Sequence, residues 1–194
     1  DILDFSAANI TELNSTNSDG LYFTRSGNSL IIRYGNNDSV IISNYLKSSS
    51  VNTIVTSDGL EHNIAQEAQV LIDNSSSTKK VSITGTKLSD SITGSNLNDT
   101  IRGGNGDDTI IGGTGNDRLY GDAGYNQIIF TSGDGNDTVY SGYGSDTLIF
   151  EDVTFAELNF YNDSKNNLII KHGNDSVTIS NYFKLKGITS IKTF

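Results

Sequence analysis

A nine-residue period running from Gly85 to Ile149 constrains the fold of this chain more than any other feature. Cut at that step, the stretch reads GTKLSDSIT, GSNLNDTIR, GGNGDDTII, GGTGNDRLY, GDAGYNQII and, after the extra Phe130 and Thr131, SGDGNDTVY and SGYGSDTLI. Six of the seven rungs carry Asp in the sixth place (Asp90, Asp99, Asp108, Asp117, Asp137 and Asp146, with Asn126 the exception), and all seven carry an aliphatic residue in the eighth. Two rungs, GGNGDDTII and GGTGNDRLY, meet the full pattern G-G-x-G-x-D-x-U-x.

A period of nine is too short for a helical repeat and matches a parallel β-roll, in which each repeat is a tight turn followed by a three-residue strand and two repeats complete a coil. Glycine permits positive φ in such turns and lets neighbouring turns stack without Cβ clashes, which also leaves their carbonyls bare. A sixth-place carboxylate returning towards those carbonyls encloses a hard cation in oxygen, a set suited to Ca²⁺. Strand alternation sends the eighth-place residues inward and the seventh and ninth outward. Ile92, Ile101, Ile110, Leu119, Ile128, Val139 and Leu148 are therefore the expected core. The ninth places divide by parity, with Ile111, Ile129 and Ile149 on one outer face, expected to be covered by flanking β-structure, and Arg102, Tyr120 and Tyr140 on the other.

GGNGDDTII and GGTGNDRLY resemble the calcium-binding repeats of the RTX (haemolysin-type) family. The resemblance implies a Gram-negative protein exported by a one-step type I secretion system and folded outside the cell by calcium. It also implies several Ca²⁺ ions, held by carbonyls of the first four places and by the Asp carboxylates of repeats n and n+2. On this chain the implied pairs are Asp90 with Asp108, Asp99 with Asp117, and Asp117 with Asp137. The remaining implied ligands are Asp146 and the turn residues Gly103, Gly104, Asn105, Gly106, Gly112, Gly113, Thr114, Gly115, Gly121, Asp122, Ala123, Gly124, Gly133, Gly135, Gly142 and Gly144. Leu88 and Leu97 stand where the fourth-place Gly belongs, and GDAGYNQII has Asp122 in the second place and Asn126 in the sixth, so these rungs depart from the pattern.

The net charge of −10 disfavours nucleic acid and anionic membrane surfaces and suits a cation partner. The chain has no cysteine, hence neither disulfide nor thiolate site, and no proline, so no slow prolyl isomerisation delays folding. No apolar run reaches membrane-spanning length, and residues 1–24 lack a basic start followed by an apolar stretch. The RTX resemblance places the export signal at the far C-terminus of the parent and the protein outside the cell or on its surface.

Leu21 to Lys47 (LYFTRSGNSLIIRYGNNDSVIISNYLK) and Leu158 to Lys184 (LNFYNDSKNNLIIKHGNDSVTISNYFK) are a duplicated β-rich module with Gly and Asn turns. The expected organisation is a β-rich module over 1–76, the roll over 77–150 with a polar hinge at Asn74 to Lys80, and a shortened second module over 151–194. The likeness of Asp1–Phe5 to Asp146–Phe150, and the early stop of the second copy, lead to the expectation of a piece of a longer array, with neighbouring RTX blocks as partners. Leu60 to Ile72 (LEHNIAQEAQVLI) has the spacing of a short amphipathic helix, with Ser57 or Asp58 as cap. The expected class is thus all-β, a calcium-binding parallel β-roll flanked by small β-rich modules, with one short helix.

Catalysis has no nominee. His62 lacks the second histidine of H-E-x-x-H, His172 aligns with Tyr34 of the other module, and no G-x-S-x-G elbow or phosphate-loop Lys is present. An EF-hand needs a distal Glu, and the ladder contains none. The expected function is structural: a calcium-binding module of a secreted toxin or adhesin, without chemistry of its own. The alternative is a carbohydrate-binding accessory module of the kind attached to alginate epimerases, with Arg102, Tyr120 and Tyr140 as the candidate track.

Overall fold

Parallel pairing at steps of 18 and 20 residues, twice the repeat, is the main feature of the backbone. The computed structural model describes residues 2–4, 12–13, 20–34, 38–46, 51–64, 68–182 and 187–194. These form two compact units, Asp1–Ile72 with Thr86–Ser89, and Asp73–Gly85 with Asp90–Phe194.

In the first unit the strands are β1 (Ile2–Asp4), β2 (Glu12–Leu13), β3 (Gly20–Ser26), β4 (Ser29–Tyr34), β5 (Asp38–Ile42), β6 (Thr53–Val55), β7 (Glu61–Asn63) and β8 (Gln69–Asp73). β3, β4 and β5 form an antiparallel meander, β8 joins β3 through Phe23 and Val70, and β1, β6 and β7 make a small separate sheet. Leu21, Phe23, Leu30, Ile32, Ile54, Ile64 and Val70 are fully buried.

The expected helix does not run over 60–72: Glu61–Asn63 and Gln69–Asp73 are strands, Ile64 is helical with Ala68 N–H donating to its carbonyl at 3.2 Å, and residues 65–67 lie outside the described set. The helical spacing counted Leu60, which is 58% exposed, whereas Ala68, Val70 and Ile72 are buried with the period of two that belongs to a strand. Asp58-Gly59 is a hairpin turn between β6 and β7 rather than a cap. Asp58 Oδ1 accepts from Thr56 Oγ1 at 2.6 Å and from the Leu60 N–H at 3.2 Å, with Gly59 at φ +82°.

The second unit holds β9 (Ser82–Thr84), β10 (Ser89–Thr93), β11 (Thr100–Asn105), β12 (Thr109–Ile111), β13 (Arg118–Ala123), β14 (Gln127–Phe130), β15 (Asn136–Tyr140) and β16 (Asp146–Phe150). A 3-10 turn at Phe155–Glu157 precedes β17 (Asn159–Asn162), β18 (Leu168–His172), β19 (Asp175–Ser180) and β20 (Ile188–Thr193). One sheet aligns Ile92, Ile110, Ile128, Leu148 and Ile191 in parallel register. The other aligns Ile83, Ile101, Leu119, Val139 and Ile179. The seven eighth-place aliphatics are at most 1% exposed, which makes them the core of a parallel β-roll.

The roll extends beyond the periodic ladder at both ends. Ile83 lies nine residues before Ile92 and opens a rung, 76–84, that lacks Gly and Asp. At the far end β17, β18 and β19 repeat the antiparallel meander of β3 to β5, and β19 and β20 join the two sheets of the roll in parallel. The extra Phe130 and Thr131 lengthen one coil, and Phe130 stacks on Phe150 at 5.3 Å, with the buried His172 edge-on to Phe150 at 5.0 Å. Of the outer isoleucines, only Ile149 is buried; Ile111 and Ile129 are half-buried. The expected cover over that face is therefore partial among the described residues.

Candidate metal centre

A sixth-place side chain leaves the turn immediately before the strand begins, so the roll fixes its direction. All seven sixth-place residues, charged as six of them are, lie at most 3% exposed. Each meets the rung two along. Asp90 N–H donates to Asp108 Oδ1 at 2.8 Å, Asp99 N–H to Asp117 Oδ1 at 2.7 Å, and Asp117 N–H to Asp137 Oδ1 at 2.9 Å. The three pairs implied by the resemblance are thus neighbours. The same contact links Asp108 N–H to Asn126 Oδ1 at 2.9 Å, and Val81 N–H to Asp99 Oδ1 at 2.6 Å.

The second carboxylate oxygens distinguish the sites. Oδ2 of Asp108, Asp117 and Asp146 is buried and meets no hydrogen-bond donor. An unpaired buried polar atom costs about 1–3 kcal/mol, more when charged, so these oxygens need a proton or a cation. Asp108 and Asp117 belong to the two rungs that meet the full motif. Burial, reinforced by the neighbouring Asp90, pushes the Asp108 carboxyl up to about 8; burial likewise takes Asp137 to about 7 and Asp117 to about 6. Asp146 is raised by burial as well.

Around these carboxylates the glycine turns stack at contact distance. At Gly115, with φ +135°, a Cβ would lie 2.8 Å from the Leu97 carbonyl carbon, two rungs back, so only glycine fits. No group of three or more His, Cys, Asp or Glu side chains among the described residues forms a metal cage. A pair of carboxylates offers at most four oxygens. A hard cation that takes six to eight oxygens would draw the rest of its shell from turn carbonyls, and Oδ2 of Asp108 and Asp117 fit that role.

Several expected ligands are engaged elsewhere. Asp99 Oδ2 accepts from Ser95 N–H at 2.6 Å and Ser95 Oγ at 2.8 Å, so a hydroxyl closes this rung locally. Asp122 turns outward to Arg102, with Nη1 to Oδ1 at 3.2 Å. Asn126 Nδ2 donates to the Gly121 carbonyl and to Asp146 Oδ1. Leu88, in a fourth-place Gly position, is 1% exposed, while Leu97 is 42% exposed. Ser95 was legible only as a small residue in the second place. Asn126 was legible only as a gap in the Asp series.

Arg102, Tyr120 and Tyr140 share the outer face that their parity predicts. The two rings stack at 4.4 Å and 7°, and the guanidinium lies 3.8 Å from the Tyr120 centroid. The faces that would stack on a sugar are occupied by one another. Tyr120→Ala should cost about 1–2 kcal/mol through loss of these contacts and leave the calcium response unchanged, as thermal unfolding with and without calcium would show.

The RTX calcium-binding nonapeptide repeat (4 copies) matches residues 93–128 and 129–152. Comparison with curated proteins finds no match. Among solved structures, the extracellular lipase LipA from Serratia marcescens aligns over 97% of this chain at 16% identity and a TM-score of 0.45. This chain spans 31% of that lipase. With the buried carboxylates, the stacked glycine turns and the matched repeats together, residues 93–152 are an array of RTX calcium-binding nonapeptide repeats, and the ion these repeats bind is Ca²⁺.

Proposed function

We propose that this chain is a structural module of a secreted RTX toxin or adhesin, kept unfolded at cytosolic calcium, exported by a type I system and folded by extracellular calcium, with no catalysis of its own. The observation that carries the reading is the buried, donor-free Oδ2 of Asp108 and Asp117 in the two complete repeats. In this reading Asp90, Asp108, Asp117 and Asp137 supply the carboxylates, while Asp99 is closed by Ser95 and Val81. The turns Gly103 to Gly106, Gly112 to Gly115 and Gly133 to Gly135 supply carbonyls. Residues 1–76 are then a β-module preceding the roll, 77–150 the calcium roll, and 151–194 its closing module.

Sites of the extracellular type have Kd on the order of 10⁻⁴ to 10⁻³ M, and a ligand at about ten times Kd stabilises each by roughly 1.4 kcal/mol. A few such sites supply a large share of a small domain's stability. Circular dichroism of the full chain should show a gain of β signal between chelator and millimolar calcium, with its midpoint in that concentration range. Identical spectra together with no bound ion would defeat the proposal.

A further inference from the structure

We infer that Asn126 stands in for a cation between rungs 121–129 and 141–149, so that this gap closes without metal. The inference deepens the calcium reading and rests on it. The Asn126 amide is held at both ends: Oδ1 accepts from Asp108 N–H at 2.9 Å, and Nδ2 donates to the Gly121 carbonyl at 2.9 Å and to Asp146 Oδ1 at 2.8 Å. Reversing the amide would set NH₂ against an N–H and its oxygen against two oxygens, so the orientation is determined by its partners. Asn126 is 1% exposed and Asp146 fully buried. Nδ2 therefore brings the positive end of a dipole to a turn carbonyl and a sixth-place carboxylate, the two kinds of oxygen that a cation would bridge.

Other carbonyls of the same turn are also engaged. Asp122 O accepts from Tyr143 N–H at 2.9 Å, and Gly124 O from Ser145 N–H at 2.9 Å. The Asp122 carboxylate is turned out to Arg102. Asp146 Oδ2 is buried without a donor, as are those of Asp108 and Asp117, but across this gap the Asn126 amide already binds the facing Gly121 carbonyl and Asp146 Oδ1. The Phe130–Phe150 stack covers the same coil, so this end of the roll combines an apolar contact with a neutral clamp.

The test compares the full wild-type chain with Asn126→Asp and Asn126→Ala. Native mass spectrometry in millimolar calcium should count one more ion on Asn126→Asp than on wild type, and no extra ion on Asn126→Ala. Amide exchange followed by NMR in millimolar calcium should show Tyr143, Ser145 and Thr147 protected in wild type, with protection reduced about tenfold or more in Asn126→Ala. Equal ion counts on wild type and Asn126→Asp, or undiminished protection in Asn126→Ala, overturn the inference. A wild-type chain that binds no calcium yet keeps this protection would instead overturn the calcium reading and leave the clamp standing.

Discussion

In chelator the folded roll should lose stability as pH rises from 5 to 8, and in millimolar calcium it should not. The sign follows from the buried carboxylates. Asp117, Asp137 and Asp108 are pushed up to about 6, 7 and 8 by burial, whereas the same groups in an unfolded chain titrate near 3.8. A carboxyl whose folded pKa is raised binds its proton more tightly in the folded state, so its stabilisation is present at acid pH and is lost as pH rises through the folded value. Each such group removes about 1.4 kcal/mol per pH unit across its window.

On the proposed ligand set, calcium replaces those protons. With the ion bound the carboxylates are ionised in both folded and unfolded chains above about pH 5, and the slope disappears. The gap between the melting midpoints with and without calcium should therefore widen from pH 5 to pH 8. Asp58, Asp73, Asp152, Asp163 and Glu157 are held low by hydrogen bonds, led by those from Thr56, Ser75, Ser132, Asn167 and Thr154, and lose their contribution only below about pH 4. They do not act in the window tested. Asp108→Asn should be more stable than wild type in chelator at pH 8, because a neutral amide removes the charge that burial penalises, and should gain less from calcium. Asn126 already shows an amide accommodated in a sixth place. A chelated wild-type chain that melts higher at pH 8 than at pH 5 would contradict this account.

The residues that announced the roll were those under two constraints at once. An inward aliphatic at every eighth place and a buried Asp at the sixth leave a period that composition alone would not produce. Where only one constraint acts, the period fades. The rung around Ile83 keeps its inward residue but has Ser, Thr and Lys in its turn, so no glycine or carboxylate marks it. Ile179 and Ile191 continue the core columns, yet the hairpin between β17 and β19 separates them from the ladder by irregular distances. The duplication revealed the meander and not its place in the sheets. Over 60–72, strand and helix periods share Ile64 and Ala68, and the contest is settled by pairing of β7 with β6 and of β8 with β3, which local spacing does not contain. Asn126 was visible as a departure, but its role needed the positions of Gly121 and Asp146 in space.

Leu119→Ala tests whether the thin core and the calcium sites act as one system. Leu119 is fully buried and lies in register between Ile101 and Val139, one rung's whole contribution to its column. Truncation in a close-packed core costs about 3 kcal/mol, a large fraction of a small domain's stability. If calcium binds only the folded roll, added calcium must offset that loss, and each tenfold increase supplies up to about 1.4 kcal/mol per linked ion. Two linked ions predict a folding midpoint raised about tenfold in calcium, and four predict about threefold to fourfold. The size of the shift, read by circular dichroism at pH 8, thus reports how many ions fold with this column. Asp117, two places before Leu119, bonds to Asp99 N–H through Oδ1 while its Oδ2 lacks a donor, so local loosening of the strand would reach a proposed calcium ligand directly. A midpoint unchanged in Leu119→Ala, with melting lowered equally in calcium and in chelator, would mean that core and ions stabilise separate parts of the chain.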